Sequence, residues 1–402
     1  MKYSKEEIMQ YMLEEDVKFI RLAFCDAFGK QKNISIMPEE LPRAFEYGIA
    51  IDASAITGFG DENHSDLFLH PDVDTLTPLP WRPEHGRVVR MFCSITHPDG
   101  TIFECDTRSI LRKAIEAADE AGINFFFGSE QEFYLFNLDD DGNPTKEPYD
   151  NCGYMDIAPE DRGENIRREI CLTLEQMGIQ PESSHHEEGP GQNEIDFRYS
   201  DPITAADNAM TFQTVVKTIA NRNGLFADFG PKPIADKPGN GFHINISAKS
   251  KDGSDCMNGI IAGILDKVQD MTVFLNPTEK SYDRFGNNKA PKYISWSREN
   301  RSQLIRVPAA AEQFKRVELR SPDPMANTYL AFALIIYAVL EGIKENKELP
   351  EPADINLYKA DSKTLCKFKQ LPTDFKSACL LAANSDFIKD HIPEEIITLY
   401  CE

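Results

Sequence analysis

Apolar and polar positions alternate most sharply in Phe125-Phe126-Phe127-Gly128-Ser129-Glu130-Gln131-Glu132-Phe133-Tyr134-Leu135-Phe136, where six of twelve residues are aromatic. That composition predicts a strand in the core. Glu130 and Glu132 interrupt it, and the two-residue period places both carboxylates on one face, about 7 Å apart. Buried acids need a cation or arginines to answer them. The pattern recurs in three other stretches. In 241–247 the odd positions are polar and the even ones apolar. In 316–320 the even positions are charged and the odd ones apolar. In 193–197 Glu194 and Asp196 oppose Ile195 and Phe197. A sheet with one solvated side is the common cause of such patterning. Glu and His beside arginines, approached through glycines, point instead to a concave polar face that holds a ligand.

Helical periodicity predicts helices over 5–16, with Ile8, Met9, Met12 and Leu13 on the inner stripe, over 160–177 and over 203–223. A fourth starts at a cap formed by Asp106 and Thr107 and runs to about Ala121, closed by Gly122. Strands are expected over 17–24, 32–37 and 88–95, the first two joined by a turn at 25–30. Residues 1–100 thus form a small strand-rich α+β unit, and 101–402 a larger one. Residues 183–197 predict a strand, a Gly-Pro-Gly bend and a return strand, and 229–238 a proline-broken loop. The sequence contains no internal repeat.

Composition narrows the functional classes. The chain has 402 residues, 41% hydrophobic and 27% charged, with a net charge of -23, which disfavours nucleic-acid and anionic membrane surfaces as partners. No apolar run approaches the roughly 20 residues of a membrane span, and the start lacks a signal-peptide pattern. Nine cysteines without C-x-x-C spacing predict reduced thiols and a cytoplasmic location. Glu130, Glu132, Glu187, Glu194, His243 and Glu318 make an oxygen-rich set with one imidazole, suited to two or three Mg²⁺ or Mn²⁺ ions. Arg284, Arg298, Arg301, Arg306, Arg316 and Arg320 crowd 37 residues of an acidic chain, which suggests an anionic ligand. Metals plus arginines indicate phosphoryl transfer, without a P-loop or Rossmann glycine pattern. The pair His185-His186 suits a general base, although a structural role is commoner.

These motifs resemble glutamine synthetase of the bacterial type I kind, over residues 17 to 358. The resemblance rests on Gly128 to Phe136, His185-His186-Glu187 through Pro190 to Ile195, Gly241-Phe242-His243 and Asn276-Pro277-Thr278. It continues through Asn300-Arg301-Ser302 with Ile305 to Pro308, and Arg316 to Arg320 followed by Pro322-Asp323-Pro324. It implies an α+β fold: a small N-terminal β-grasp domain, then a catalytic domain whose antiparallel strands form a funnel flanked by helices. It also implies a homo-oligomeric ring, hexamer or dodecamer, with active sites between neighbours. Residue by residue, Glu132, Glu187 and Glu194 match the ligands of one metal, and Glu130, His243 and Glu318 those of a second. Arg284, Arg320 and Gly239 match the glutamate site. Arg301, Arg306, Arg316 and Ser247 match the ATP site, and Asp52 matches an acid that helps bind ammonium across the subunit boundary. The implied catalytic residues are Asp52, Arg301 and Arg320. The implied reaction joins ammonia to the γ-carboxylate of glutamate through an acyl phosphate made from ATP.

Several positions depart from the family pattern. Lys289 stands where a flap glutamate precedes Ala290-Pro291, Pro238 replaces an asparagine near the glutamate pocket, and the acid loop is Asp52-Ala53-Ser54-Ala55. The chain also ends before most of a C-terminal helical tail, and Tyr358 lies in a short context like the family's adenylylation site, where packing is the commoner role. A fixed cation at 289 would repel ammonium or an alkylammonium nitrogen. Two alternatives follow: a γ-glutamyl ligase for another amine, and a catalytically weak regulatory relative.

Overall fold

The computed structural model describes residues 3–61, 63–287, 289–311 and 314–402. The first elements are α1 (Lys5–Glu14), β1 (Val17–Cys25), β2 (Gln31–Ile36), α2 (Leu41–Tyr47), β3 (Ile49–Asp52), β4 (Asp66–Pro71), β5 (Thr77–Pro78) and β6 (Arg87–Thr96). A reciprocal capping box between Ser4 and Glu7 starts α1, satisfying two backbone donors that the first turn leaves free. Only Ile8 and Met12 of its expected stripe are fully buried, and Leu13 is 82% exposed. The inward stripe is narrower than the sequence suggested. The strands form a six-stranded sheet ordered β2-β1-β6-β4-β3, with β5 on β6. Its β1–β6 pair is parallel and its other pairs antiparallel.

The chain continues with α3 (Thr107–Glu120), β7 (Ile123–Leu138), β8 (Pro144–Pro148), α4 (Glu164–Gln176), β9 (Pro181–His186), β10 (Gln192–Ser200), α5 (Pro202–Arg222), β11 (Leu225–Asp228) and β12 (Phe242–Ser250). Then come α6 (Met257–Leu275), β13 (Trp296–Arg298), β14 (Ile305–Val307), β15 (Val317–Leu319) and α7 (Thr328–Lys344). Four short helices close it: α8 (Ser362–Leu365), α9 (Phe375–Asn384), α10 (Asp386–His391) and α11 (Glu394–Cys401). Asp106 caps α3 as expected, accepting from the Arg108 N–H. Helix α4 begins at Glu164, four residues later than predicted. Buried Asp161 accepts from the Gly163 N–H at 2.9 Å and pairs with Arg167 at 2.5 Å, so side-chain bonds hold 160–163 in place of a helical turn.

The aromatic strand is β7, and it lies inside a nine-stranded sheet ordered β13-β14-β15-β12-β7-β10-β9, with β8 and β11 also on β7. All its pairings are antiparallel except β13–β14. Its greasy face explains the alternation. Phe127, Phe133, Leu135, Ile195, Ile244, Ile246, Val317 and Leu319 are all 0% exposed. Phe127 stacks on Phe332 of α7 at 4.2 Å, and Phe133 meets Phe212 of α5 at 6.1 Å. Close backbone packing brings α6 against α7: a Cβ on Gly263 would lie 2.2 Å from the Ala338 carbonyl oxygen.

A buried charge network ties the N-terminal sheet to these helices. Arg108 pairs with Asp72 at 2.9 Å and Asp207 at 2.8 Å, and the Tyr329 hydroxyl donates to Asp207 at 2.6 Å. The cysteines form no disulfide among the described residues, nor is any helix there long and apolar enough to cross a membrane.

Candidate active site

Strand register assembles the polar face. Glu130 lies between His243 on β12 and Asp196 on β10, and Glu132 lies opposite Glu194. Farther along the sheet, Asn245 pairs with Glu318, which pairs with Arg306. The alternation read from sequence therefore becomes a contiguous patch of acids, imidazole and guanidinium on one face. It lines an open cleft of about 210 Å³, whose walls include Glu130, Glu132, Glu187, Glu194, His243, Gly239, Arg284, Arg301, Arg306, Arg316 and Arg320.

Each acid has distinct surroundings. Glu130 Oε2 is 3.3 Å from His243 Nδ1, and Glu130 Oε1 accepts from Asn245 Nδ2 at 2.7 Å. Burial opposes its charge, but the His243 hydrogen bond and charge, with Asn245 and Arg320, pull its pKa down to about 2. Glu132 accepts from Gln192 Nε2 at 3.0 Å and the Gly241 N–H at 2.9 Å. Burial raises it to about 8, against the lowering pull of His243 and with the help of Glu194 and Glu187. Burial also raises Asp196 to about 7, aided by the Glu130 charge, and raises Glu194, aided by Asp196 and Glu130.

This crowding fits a divalent cation. Ligand atoms of Glu130, Glu194 and His243 all lie within 4.8 Å of one another, and so do those of His185, Glu187 and Glu194. Glu194 joins both groups, whereas Glu132 falls in neither, cutting across the division implied by the resemblance. Asp196 Oδ1 is buried with no hydrogen-bond partner among the described residues. Oxygen donors with one imidazole suit Mg²⁺ or Mn²⁺. Because acids with raised pKa values hold protons near neutrality, cation binding must displace them. Titration calorimetry with Mg²⁺ at pH 7, in buffers of different ionisation enthalpy, should record net proton release. Release should fade as the pH rises past about 8, where Glu132 is already ionised. An unchanged heat across buffers at pH 7 would contradict this.

The arginines occupy different depths. Buried Glu318 accepts from Arg306 Nη1 at 2.6 Å and from Arg320 Nη1, and lies 3.8 Å from His243 Nδ1. Arg316 donates to Asn245 at 2.8 Å, so it is linked through that amide to Glu130. Arg284, 3% exposed, donates to the Ser321 carbonyl at 3.0 Å and lies 3.7 Å from Asp323. Its neighbour must be glycine: a Cβ on Gly239 would stand 2.7 Å from Arg284 Cγ and 2.4 Å from the Pro231 carbonyl oxygen. Arg301 is exposed at the rim. Arg284, Arg306 and Arg320 each have a buried Nε without a hydrogen-bond partner among the described residues, which suits an anionic ligand. Among the described residues, Arg298, Ser247, Asp52 and the buried Glu318 do not border the cleft. Asp52 instead caps a short turn, accepting from the Ser54 N–H and hydroxyl.

Other cleft residues had weaker sequence signals. Asn245 shares the odd-numbered polar face with His243, so the alternation could have marked it. Gln192 and Glu188 flank predicted ligands without a pattern of their own. The two histidines separate. His186 is fully buried and bonds to Asp150 at 2.8 Å, while His185 Nε2 faces Glu194 at 3.2 Å. The structural reading holds for His186, and His185 borders the cleft. Tyr358 is 37% exposed beside a second cavity that Phe285, Lys292 and Leu365 also line. It is less enclosed than a core tyrosine.

A largely antiparallel sheet that gathers carboxylates, an imidazole and arginines on one polar face is the framework of an enzyme site suited to divalent cations and anionic substrates. Its particular lineage is also clear. The profile described as "Glutamine synthetase, catalytic domain" matches residues 104–402, and "Glutamine synthetase, beta-Grasp domain" matches 16–98. The chain is 45% identical over 371 residues to the glutamine synthetase of Clostridium saccharobutylicum, covering 89% of this chain and 84% of that one. It is 42% identical over 413 residues to that of Methanosarcina mazei, covering 99% and 92%. Among solved structures, a GmaS complex with ADP superposes with a TM-score of 0.89 at 25% identity, covering 100% of this chain and 94% of the other. The chain belongs to the glutamine synthetase family, with an N-terminal β-grasp domain followed by the family's catalytic domain.

Proposed function

We propose that this chain ligates ammonia to the γ-carboxylate of glutamate at the expense of ATP, within a catalytic domain spanning 101–402 that follows a β-grasp domain spanning 1–100. The observation that carries this reading is one cleft in which five predicted metal-site residues face four arginines and a glycine-backed Arg284, with the sixth, Glu318, buried against Arg306 and Arg320. Glu130, Glu132, Glu187, Glu194, His243 and Glu318 would hold two or three Mg²⁺ or Mn²⁺ ions. When bound, these supply charge neutralisation for phosphate oxygens.

The chain's own groups do the rest. Arg284 and Arg320, with Gly239 leaving room beside them, orient the glutamate carboxylates. Arg301, Arg306 and Arg316 face the ATP phosphates, with Ser247 as an outlying contact. A γ-carboxylate oxygen attacks the γ-phosphorus and ADP leaves. The amine nitrogen then attacks the acyl carbon, and phosphate departs with the oxygen it gained. Arg320 and Arg301 stabilise charge as these bonds change. Asp52, exposed and outside this chain's own cleft, fits a role at a neighbouring subunit's site in the ring of six or twelve copies that the family resemblance implies. A cytoplasmic location accords with the free thiols.

A second reading has a specific observation behind it. Lys289 and Pro238, both on the cleft wall and both departures from the family pattern, motivate an amine other than ammonia. Phosphate release should be measured with glutamate, ATP and Mg²⁺ against ammonia, hydroxylamine and a panel of primary amines. The first reading expects ammonia to be the best acceptor by kcat/KM. A primary amine at least tenfold better would replace it with the second, and no turnover with any acceptor would overturn both.

A further inference from the structure

The cleft mouth holds an ion pair that no ligand role requires. Lys289 Nζ lies 2.6 Å from Glu188 Oε1, and 5.0 Å from the ring centre of Tyr154. Glu188 sits in the bend between β9 and β10, 101 positions away in sequence, and Lys289 sits in the loop after Arg284. Both line the cleft. The loop is also fixed by its backbone: Gly286 N–H donates to Ala290 O at 2.8 Å, and Arg320 Nη2 donates to Lys289 O at 3.4 Å. Lys289 adopts φ +65°, a left-handed conformation uncommon for a side chain of this size. Such local strain persists where surrounding contacts over-determine it.

We propose that Glu188 is a positioning residue for Lys289, and that their ion pair latches the backbone at Lys289 and Ala290 across the cleft mouth while neutralising the lysine charge that an incoming protonated amine would otherwise meet. This rests on the ligase reading for its effect on amines, but the latch itself does not. Two consequences separate the charge from the latch. With Glu188 neutral, the lysine cation is bare, and like-charge repulsion weakens capture of the amine. With both charges exchanged, the loop is held again. Lys289→Ala removes the cation and the latch together.

The activity-independent test uses the full chain without substrates. Trypsin cuts after lysine only where the backbone can leave its fold. Cleavage after Lys289, followed by mass spectrometry, should be roughly threefold to fivefold faster in Glu188→Gln than in the parent, the scale of a partly exposed ion pair. Equal rates would overturn the latch whether or not the protein ligates an amine. In the kinetic arm, Glu188→Gln should raise KM for the amine by a similar factor, with kcat and the KM for ATP within twofold. The exchanged pair, Glu188→Lys with Lys289→Glu, should return amine KM to within twofold of the parent. A KM that stays raised in the exchanged pair, or never rises in Glu188→Gln, overturns the proposal. Should the parent show no turnover, the ligase reading fails and the proteolysis result still decides the latch.

Discussion

Glu318→Gln should reduce ligase turnover by roughly a thousandfold or more, the scale on which removing a preorganised charge from a catalytic site acts. The substitution barely changes shape, so any effect is electrostatic. Glu318 is 0% exposed, accepts from Arg306 and Arg320 on one side, and lies 3.8 Å from His243 on the other. It is therefore the acid shared by His243, a proposed metal ligand, and two arginines proposed to bind anions. A neutral amide leaves two guanidinium groups facing each other without an intervening charge. Breaking a buried pair in this way costs about 3–5 kcal/mol, so part of the effect should appear as a lower midpoint in urea unfolding. Steady-state phosphate release and urea unfolding, measured on one preparation, separate the two. Turnover within tenfold of the parent would remove Glu318 from the site.

Arg284→Lys should raise KM for glutamate by roughly 100-fold, with the KM for ATP within threefold. A charge-assisted hydrogen bond is worth about 1.5–3 kcal/mol, and the planar fork of arginine cannot be copied by an ammonium. The buried guanidinium donates to the Ser321 carbonyl and is backed by Gly239, and its Nε has no partner among the described residues. Lysine keeps the charge facing Asp323, so the fold should survive and the loss should fall on substrate. A proportional rise in both KM values would mean that Arg284 supports the whole cleft instead.

Much of this was legible because strand periodicity is local. Two-residue alternation on β7, β10, β12 and β15 named the acids, and antiparallel register then placed Glu130 beside His243 and Glu132 opposite Glu194. What failed depended on tertiary contacts. Leu13 lies four positions from Met9, yet it faces solvent because α1 buries only the narrow stripe of Ile8 and Met12. Helix α4 starts late because Asp161 bonds to Gly163 and Arg167. His185 and His186 read alike in sequence, and only the strand's two faces separate them, one against Asp150 and the other toward Glu194. The environment of Lys289 was the least accessible, since its partner Glu188 is remote in sequence. A lysine expected to stand as a bare cation is instead paired.

The central claim is that this cleft activates glutamate by moving a phosphoryl group onto its γ-carboxylate. Glutamate carrying ¹⁸O in the γ-carboxylate, turned over with ATP, Mg²⁺ and ammonia, tests it most directly, with the released phosphate analysed by mass spectrometry. The mechanism predicts one ¹⁸O atom in each phosphate, because the oxygen that attacks phosphorus leaves with it. Phosphate released without ¹⁸O would mean that ATP is hydrolysed by water, contradicting the acyl phosphate.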